Sequence, residues 1–159
     1  MTRPRGDQPI HRLSPLPSAL GRGRLLVAEA VLAPTSRALR TSQGADGPHE
    51  GIVLWLGRKS DDHTTVMAAT VPDSDHTWGS VRMRLAAVAK AARSARRLGL
   101  VVVAQVHSHP GEDTRHSDGD DEMILLPHEG MYSLVVARYG RGAPLPANGA
   151  GLHQYQDER

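Results

Sequence analysis

Hydrophobic positions divide the chain beyond residue 24 into short apolar runs and one long amphipathic stretch. Three runs are rich in β-branched and aliphatic residues and are closed by Gly or Pro, which predicts buried strands at Ile52–Gly57, Thr64–Val71 and Leu100–Val106. Met131–Tyr139 predicts a further strand, and the segment LHQYQ near the carboxyl terminus predicts a last edge strand.

The clearest predicted helix lies between the second and third of these strands. Its apolar residues follow a helical period, its other face carries Arg, and Gly99 ends it. The apolar positions are Val81, Leu85, Val88, Ala92 and Leu98.

Two other segments give weaker helix signals. The run LLVAEAVL, which starts at Leu25, is ambiguous between strand and helix, and Pro34 is expected in the first turn of a short helix that ends near Ser42. Ser117 fits an N-cap, with acidic residues after it, for a helix that ends near Leu126.

The order of these elements predicts the fold class and the boundaries of the domain. Antiparallel hairpins mixed with helices indicate an α/β arrangement of three layers, with a mixed, largely antiparallel sheet flanked by helices. Residues 1–23 contain Pro and Gly-Arg steps without apolar periodicity and are expected to form a flexible arm. Residues 24–140 form the predicted domain, and residues 141–159 a Gly/Pro-rich tail that includes the edge strand.

Composition excludes several classes of protein. The 159 residues contain no Cys, so disulfides, Cys-ligated zinc, iron–sulfur clusters and a Cys nucleophile are excluded. Aromatic residues make up 3%, too few for a nucleic-acid stacking platform. The chain has neither an apolar run long enough to span a bilayer nor the apolar core of a signal peptide, and a cytoplasmic location is expected.

Charge is unevenly distributed although the formal net charge is only +2. The stretch from Trp78 to Leu98 has six basic residues and no acid, whereas Glu112 to Glu122 has six acids and one Arg. A solvated helix face followed by an acidic loop explains this pattern. A basic docking face beside a cation site is the functional alternative.

The string HSHPGEDTRHSDGDD carries the chemistry. His107 and His109 are two residues apart at the end of a predicted strand, so both imidazoles leave the same face. Asp120, at the start of the next helix, is positioned to return to the same point. Two His and one carboxylate leave a fourth position for water, which is typical of a catalytic zinc site. The His pair alone is weak evidence, since this chain contains nine His.

The longer pattern resembles a known family. His107-x-His109-Pro110, six residues, and then Ser117-x-x-Asp120 are similar to the signature of the JAMM metalloproteases, also called JAB or MPN+ domains. That family also has a Glu before a Gly-containing strand, in the place of Glu50 here. The resemblance covers roughly residues 25–140, is closest to the prokaryotic branch, and implies a cytidine-deaminase-like three-layer fold.

This resemblance implies roles for five residues. His107, His109 and Asp120 are the implied zinc ligands, Glu50 the general base and acid, and Ser117 the group that steadies the attacking water and the oxyanion. Ser117 has the N-cap as its alternative role. Outside these roles, we expect His116 to be exposed, and its alternatives are an additional metal ligand or a hydrogen-bond partner of the ligands.

Three further expectations concern neighbouring residues. His49 is expected at a loop surface rather than in catalysis, Trp55 and Trp78 are expected in the core or at a rim, and the remaining carboxylates of the acidic loop are expected to be solvated or helix-capping.

The implied function is a zinc-dependent isopeptidase or peptidase that uses zinc-bound water to cleave after the C-terminal tail of a ubiquitin-like protein or sulfur carrier. Such substrates have extended Gly-rich tails suited to strand addition. Proteins that resemble ubiquitin-activating and ubiquitin-conjugating enzymes are the implied partners, and neither a membrane nor nucleic acid is expected. The alternatives are a zinc hydrolase of another peptide or amide, a non-catalytic MPN scaffold, and a DNA-associated JAB-like protein suggested by the Arg-rich helix.

Overall fold

A computed structural model of the protein describes residues 12–15, 23–122 and 128–156. Most of the predicted arm, residues 1–23, lies outside the described residues, as does the predicted helix end near Leu126. Within the arm, Arg12–Leu13 pairs antiparallel with His116–Ser117.

The described part of the chain contains eight strands of four or more residues and three helices of five or more residues. They are β1 (Arg24–Val27), α1 (Glu29–Arg40), β2 (Ile52–Lys59), β3 (His63–Thr70), β4 (Ser74–Thr77), β5 (Ser80–Met83), α2 (Leu85–Arg97), β6 (Val101–Ser108), α3 (Asp118–Glu122), β7 (Tyr132–Val136) and β8 (Gly151–Gln154). Shorter pieces are a two-residue hairpin between Gln43–Gly44 and Gly47–Pro48, a turn at Ala137–Gly140 and a 3₁₀ turn at Pro146–Asn148.

Six strands form the central sheet in the order β8-β7-β6-β2-β3-β1. Strand β2 runs antiparallel to both of its neighbours, β3 and β6, whereas the pairs β6–β7 and β1–β3 are parallel. The outer pair β7–β8 is antiparallel, so β8 forms one edge. The sheet is therefore mixed, as predicted.

The two long helices cover opposite faces of this sheet. Val53 and Trp55 of β2 pack in one buried cluster with Val31 and Leu39 of α1. The alternate residues of the same strand, including Leu54, pack in a second cluster that includes residues of α2. Because successive strand side chains point to opposite faces, β2 joins two cores, and the predicted three-layer α/β arrangement is confirmed.

The predicted boundary of the Arg-rich helix is wrong at its start. Helix α2 begins at Leu85, and Val81 belongs to the β4–β5 hairpin. Burial alternates along β5, with Val81 and Met83 buried beneath exposed neighbours, which is a period of two. Val81 fits the helical spacing because it lies four residues before Leu85, and the sequence of its partner strand, SDHT, contains no apolar residue that would indicate a hairpin.

The predicted place of Pro34 is also wrong. Helix α1 starts at Glu29, which leaves Pro34 inside the helix rather than in its first turn. Proline removes one backbone donor there. The buried stripe of Val31, Thr35 and Leu39 holds the helix against the sheet on both sides of it.

Two strand boundaries near the motif also differ from the prediction. Strand β6 continues through His107 to Ser108. Strand β7 stops at Val136 rather than continuing to Tyr139, because Arg138 and Tyr139 adopt left-handed backbone angles of φ 51° and 53°. Within the described ranges, no helix combines the length and apolarity that a bilayer crossing requires.

Candidate metal centre and active site

Strand β6 delivers two histidines to one point. His107 is the second-to-last residue of β6, and His109 is the first residue after the strand. Because the two are two residues apart, both rings project from the same face. Their Nε2 atoms are 3.2 Å apart, and both residues are buried. The Nδ1 atom of His109 lies 2.8 Å from the carbonyl oxygen of Asp113, so Nδ1–H is the donor and Nε2 is the unprotonated nitrogen when this ring is neutral.

A capping box places the third donor. Asp120 Oδ2 accepts hydrogen bonds from the backbone N–H of Ser117 at 2.6 Å and from its hydroxyl at 2.8 Å. In return, the Asp120 N–H donates to Ser117 Oγ at 3.3 Å. This reciprocal Ser-x-x-Asp arrangement starts α3, and it leaves Oδ1 of the same carboxylate 3.1 Å from His107 Nε2.

These three side chains have the dimensions of a metal site. His107 Nε2, His109 Nε2 and Asp120 Oδ1 are separated by 3.2, 3.1 and 3.5 Å. A tetrahedral ion with ligand bonds of about 2.0–2.1 Å requires donor separations near 3.4 Å. All three residues are buried, and they form a group that could hold a metal ion. The site therefore fits a divalent ion with nitrogen and oxygen ligands.

The electrostatics of the cluster favour the metal-binding forms of His107 and Asp120, but not that of His109. Burial lowers the pKa of His107, which keeps that ring neutral. Burial also acts against the charge of Asp120, but the hydrogen bonds from His107 and His109 outweigh it and hold the pKa of this carboxyl far below its usual range. Burial opposes protonation of His109 as well, yet its hydrogen bond with Asp120 raises the pKa of this ring. The cluster is therefore anionic at Asp120, and His109 is the ring at which a proton competes with a metal ion.

Antiparallel pairing brings Glu50 to this cluster. Ile52 of β2 pairs with His107 of β6, so the residues before β2 lie beside the end of β6. Gly51 accepts a hydrogen bond from the Ser108 N–H at 3.1 Å, and its own N–H donates to Ser108 Oγ at 2.9 Å. Glu50 is buried, and its charge contributes to the raised pKa of His109.

An open groove of about 750 Å³ runs past these residues. Glu50, His109, Ser117 and Asp120 line it together with the β4–β5 hairpin. The exposed Trp78 stands at the tip of that hairpin. The Tyr139 hydroxyl donates to the Trp78 carbonyl at 2.8 Å, while the Tyr139 N–H donates to the His109 carbonyl at 2.8 Å. Tyr139 thus connects the tip of the hairpin to the backbone of His109.

Comparisons with known proteins agree with this arrangement. Residues 32–143 match the family model of prokaryotic homologues of the JAB domain. The chain belongs to this family. It is 34% identical over 114 residues to the probable metalloprotease y4jG of Sinorhizobium fredii, a match that covers 67% of each chain.

Solved structures support the fold. A protein from Desulfitobacterium hafniense superposes with a TM-score of 0.60 at 15% identity, over 83% of this chain and 90% of that one. A protein from Salinibacter ruber gives a TM-score of 0.53 at 21% identity, over 84% and 90%. Together, the family, its probable metalloprotease and the His-His-Asp cluster indicate that this JAB domain is a metallopeptidase.

The predicted site residues of this JAB domain all converge, but two neighbouring histidines were placed wrongly. His116 was expected to be exposed and is buried, with its ring centroid 5.9 Å from His107 and 4.8 Å from His153. Its Nε2 lies 3.2 Å from Ser133 Oγ. His49 was expected at a loop surface and is also buried. The pairing of 116–117 with Arg12–Leu13 and the packing of β8 decide the burial of His116, and neither has a local signal.

The other expectations in this region are confirmed where the structure describes them. Trp55 lies in the core and Trp78 at the groove rim. Asp113 pairs with Arg115 at 2.9 Å at the surface. Ser108 is a further positioning residue that the motif conceals, because it occupies the variable position between the two histidines. A small polar residue at the end of a buried strand is the signal that would have revealed it.

Proposed function

We propose that this protein is a zinc-dependent peptidase or isopeptidase of the JAMM type. The convergence of His107, His109 and Asp120 with donor separations of 3.1–3.5 Å, on the groove that Glu50 also lines, is the observation that supports it. Two imidazoles and one carboxylate without Cys match the ligands of catalytic zinc sites. When bound, zinc would supply a Lewis acid that acidifies water and polarises the substrate carbonyl.

The chain's own residues would perform the proton transfers. Glu50 accepts a proton from the attacking water, whose oxygen bonds to the carbonyl carbon. When the carbon–nitrogen bond breaks, Glu50 returns that proton to the leaving amine, so one carboxylate serves first as base and then as acid. Burial of Glu50 at the groove wall keeps bulk water from competing for this proton.

Ser117 combines two roles in this proposal. Its Oγ accepts the Asp120 N–H at 3.3 Å, which is an N-cap contact, and its hydroxyl donates to Asp120 Oδ2 at 2.8 Å. Ser117 also lines the groove. Rotation of its hydroxyl towards the groove would let it donate to a developing oxyanion, an interaction worth about 2.7–4 kcal/mol in comparable sites.

We further propose that the substrate is the C-terminal tail of a ubiquitin-like protein or sulfur carrier, handled together with activating- and conjugating-enzyme-like proteins in the cytoplasm. The support is the family resemblance and the form of the groove. Its hairpin wall is an isolated two-stranded sheet in the described chain, and an extended tail fits beside such a wall by strand addition. Mass spectrometry of the products separates this substrate from another peptide or amide.

The test compares metal content with turnover in Glu50→Gln. This variant retains the shape and hydrogen bonding of the side chain but cannot accept the proton. We expect about one zinc per chain and a fall in turnover on the order of 10²–10⁴-fold. Unchanged turnover would remove Glu50 from the mechanism, and loss of zinc would make it a ligand.

His109→Ala is the matching test of the metal assignment. This variant removes one of three donors, and zinc content measured after purification without added metal should fall well below one equivalent per chain. Full zinc retention in His109→Ala would refute the assignment.

A further inference from the structure

A second cluster of titratable side chains, apart from His107, His109 and Asp120, reaches the groove through His76. His49 Nε2 lies 2.5 Å from Asp46 Oδ1, and His49 Nδ1 lies 2.9 Å from His76 Nδ1. The two rings meet edge to face with centroids 5.1 Å apart. His76 lines the groove, and His49 is buried behind it.

The backbone is shaped to hold this cluster. The two-residue hairpin of Gln43–Gly44 with Gly47–Pro48 carries Asp46 in its loop. A Cβ at Gly44 would lie 2.0 Å from His49 Cε1 and 2.2 Å from Nε2, so this position must be Gly for His49 to reach Asp46. The Glu50 N–H donates to the Thr77 carbonyl at 2.9 Å, which fixes the segment that carries His49 against the strand that carries His76.

Hydrogen-bond donors and acceptors determine the tautomers when both rings are neutral. A carboxylate only accepts, so His49 must carry its proton on Nε2, facing Asp46. His49 Nδ1 is then an acceptor, and His76 must donate to it from Nδ1. His76 Nε2 is left without a proton. Among the described residues, no hydrogen bond engages this atom, and the ring belongs to the groove wall.

We propose that Asp46, His49 and His76 form a relay that fixes His76 with an unprotonated Nε2, which accepts a hydrogen bond from a backbone N–H of a peptide in the groove. Asp46 and His49 are positioning residues, and His76 is the residue that contacts the peptide. The use of the groove by a peptide rests on the proposed function, whereas the tautomer does not.

Nitrogen-15 NMR of the full-length protein tests the tautomer directly, because protonated and unprotonated ring nitrogens have well-separated shifts. The spectrum is recorded at about pH 8.5, where histidines of ordinary pKa are neutral. We expect His76 to carry its proton on Nδ1, the rarer form of a free imidazole. In Asp46→Ala, His49 Nε2–H has lost its carboxylate acceptor, so His49 is no longer held with Nδ1 as the acceptor for His76. The Nε2–H form of His76 should therefore appear.

Two further variants control this result. Asp62→Ala removes a carboxylate 2.6 Å from His63 Nδ1, the same chemical change at another pair, and should leave the His76 signals unchanged. Gly44→Ala displaces His49 without removing a titratable group and should reproduce the effect of Asp46→Ala. An Nε2–H form of His76 in the wild-type protein overturns the proposal, whether or not the protein binds zinc or hydrolyses a peptide.

The role of His76 Nε2 as a hydrogen-bond acceptor is tested with the same kind of spectrum. The protein is Glu50→Gln, so that the peptide is not cleaved, and the probe is acetyl-tetraglycine amide. We expect the His76 Nε2 signal to shift on titration, and the shift to be lost in Gly44→Ala. If His76 has the expected tautomer but its Nε2 signal does not respond to the peptide, the acceptor role is refuted. With an active substrate, His76→Phe should raise KM about tenfold, which corresponds to one hydrogen bond, with kcat nearly unchanged.

Discussion

Ser108 couples the strand that carries the metal ligands to the segment that carries Glu50, and Ser108→Ala isolates this coupling. The Ser108 side chain is fully buried, and its Oγ accepts the Gly51 N–H at 2.9 Å. The backbone bond from the Ser108 N–H to the Gly51 carbonyl survives the substitution. The variant therefore leaves one buried N–H without an acceptor and changes little else.

The expected cost follows from that single group. A buried donor left unsatisfied costs about 1–3 kcal/mol. In a chain of 159 residues, each kcal/mol lowers Tm by about 2–4 °C, so a fall in Tm of roughly 2–12 °C is expected. Glu50 precedes Gly51 directly, so turnover should also fall, while zinc content should stay near wild type because Ser108 contributes no ligand.

Equilibrium urea unfolding of wild type, Ser108→Ala and Ser60→Ala measures this cost. Ser60 is exposed, and its substitution should change the free energy of unfolding by less than about 0.5 kcal/mol. A Ser108→Ala protein as stable as the Ser60→Ala control would refute the role assigned to the serine hydroxyl.

Two other predictions concern stability. Thr35 Oγ1 accepts the Trp55 indole N–H at 2.9 Å in the core, so Thr35→Val should lower the free energy of unfolding by about 1–3 kcal/mol, measured by tryptophan fluorescence in urea. The hydrogen bond from Arg84 lowers the pKa of Asp75 below 3.8 and ties β4 to the start of α2. A carboxyl group whose pKa is lower in the folded than in the unfolded state stabilises the folded state at pH values above its unfolded-state pKa. This stabilisation is lost as the pH falls through the folded-state pKa. Amide hydrogen exchange in the β4–β5 hairpin, corrected for the intrinsic pH dependence of exchange, should therefore become faster in acid in the wild-type protein. If exchange in Arg84→Gln becomes faster in acid by the same factor, the stabilising role of the Arg84–Asp75 pair is contradicted.

The sequence alone contains the local half of the metal site. His107 and His109 share a face because strand side chains alternate, and Ser117 reaches Asp120 because a capping box joins residues three apart at a helix start. Both contacts join residues at most three apart in the sequence, so the motif itself predicts them. The strands β2, β3 and β6 are equally local signals, since their apolar runs exceed what a loop tolerates.

Contacts between distant segments were decided by the tertiary structure. Glu50 lies 57 residues before His107, and only the antiparallel pairing of β2 with β6 brings it to the groove. The burial of His116 and the meeting of His49 with His76 likewise depend on contacts between separate elements.

The physical reason is that a side chain's burial and partners depend on which surfaces pack together. Periodicity along the chain reports which face of an element is apolar. Periodicity does not report which other element covers that apolar face, nor which polar group lies next to a given polar side chain. For this JAB domain, the spacing of His107, His109 and Asp120 is therefore a property of the sequence, whereas the position of Glu50 and the meeting of His49 with His76 beside the groove are properties of the fold.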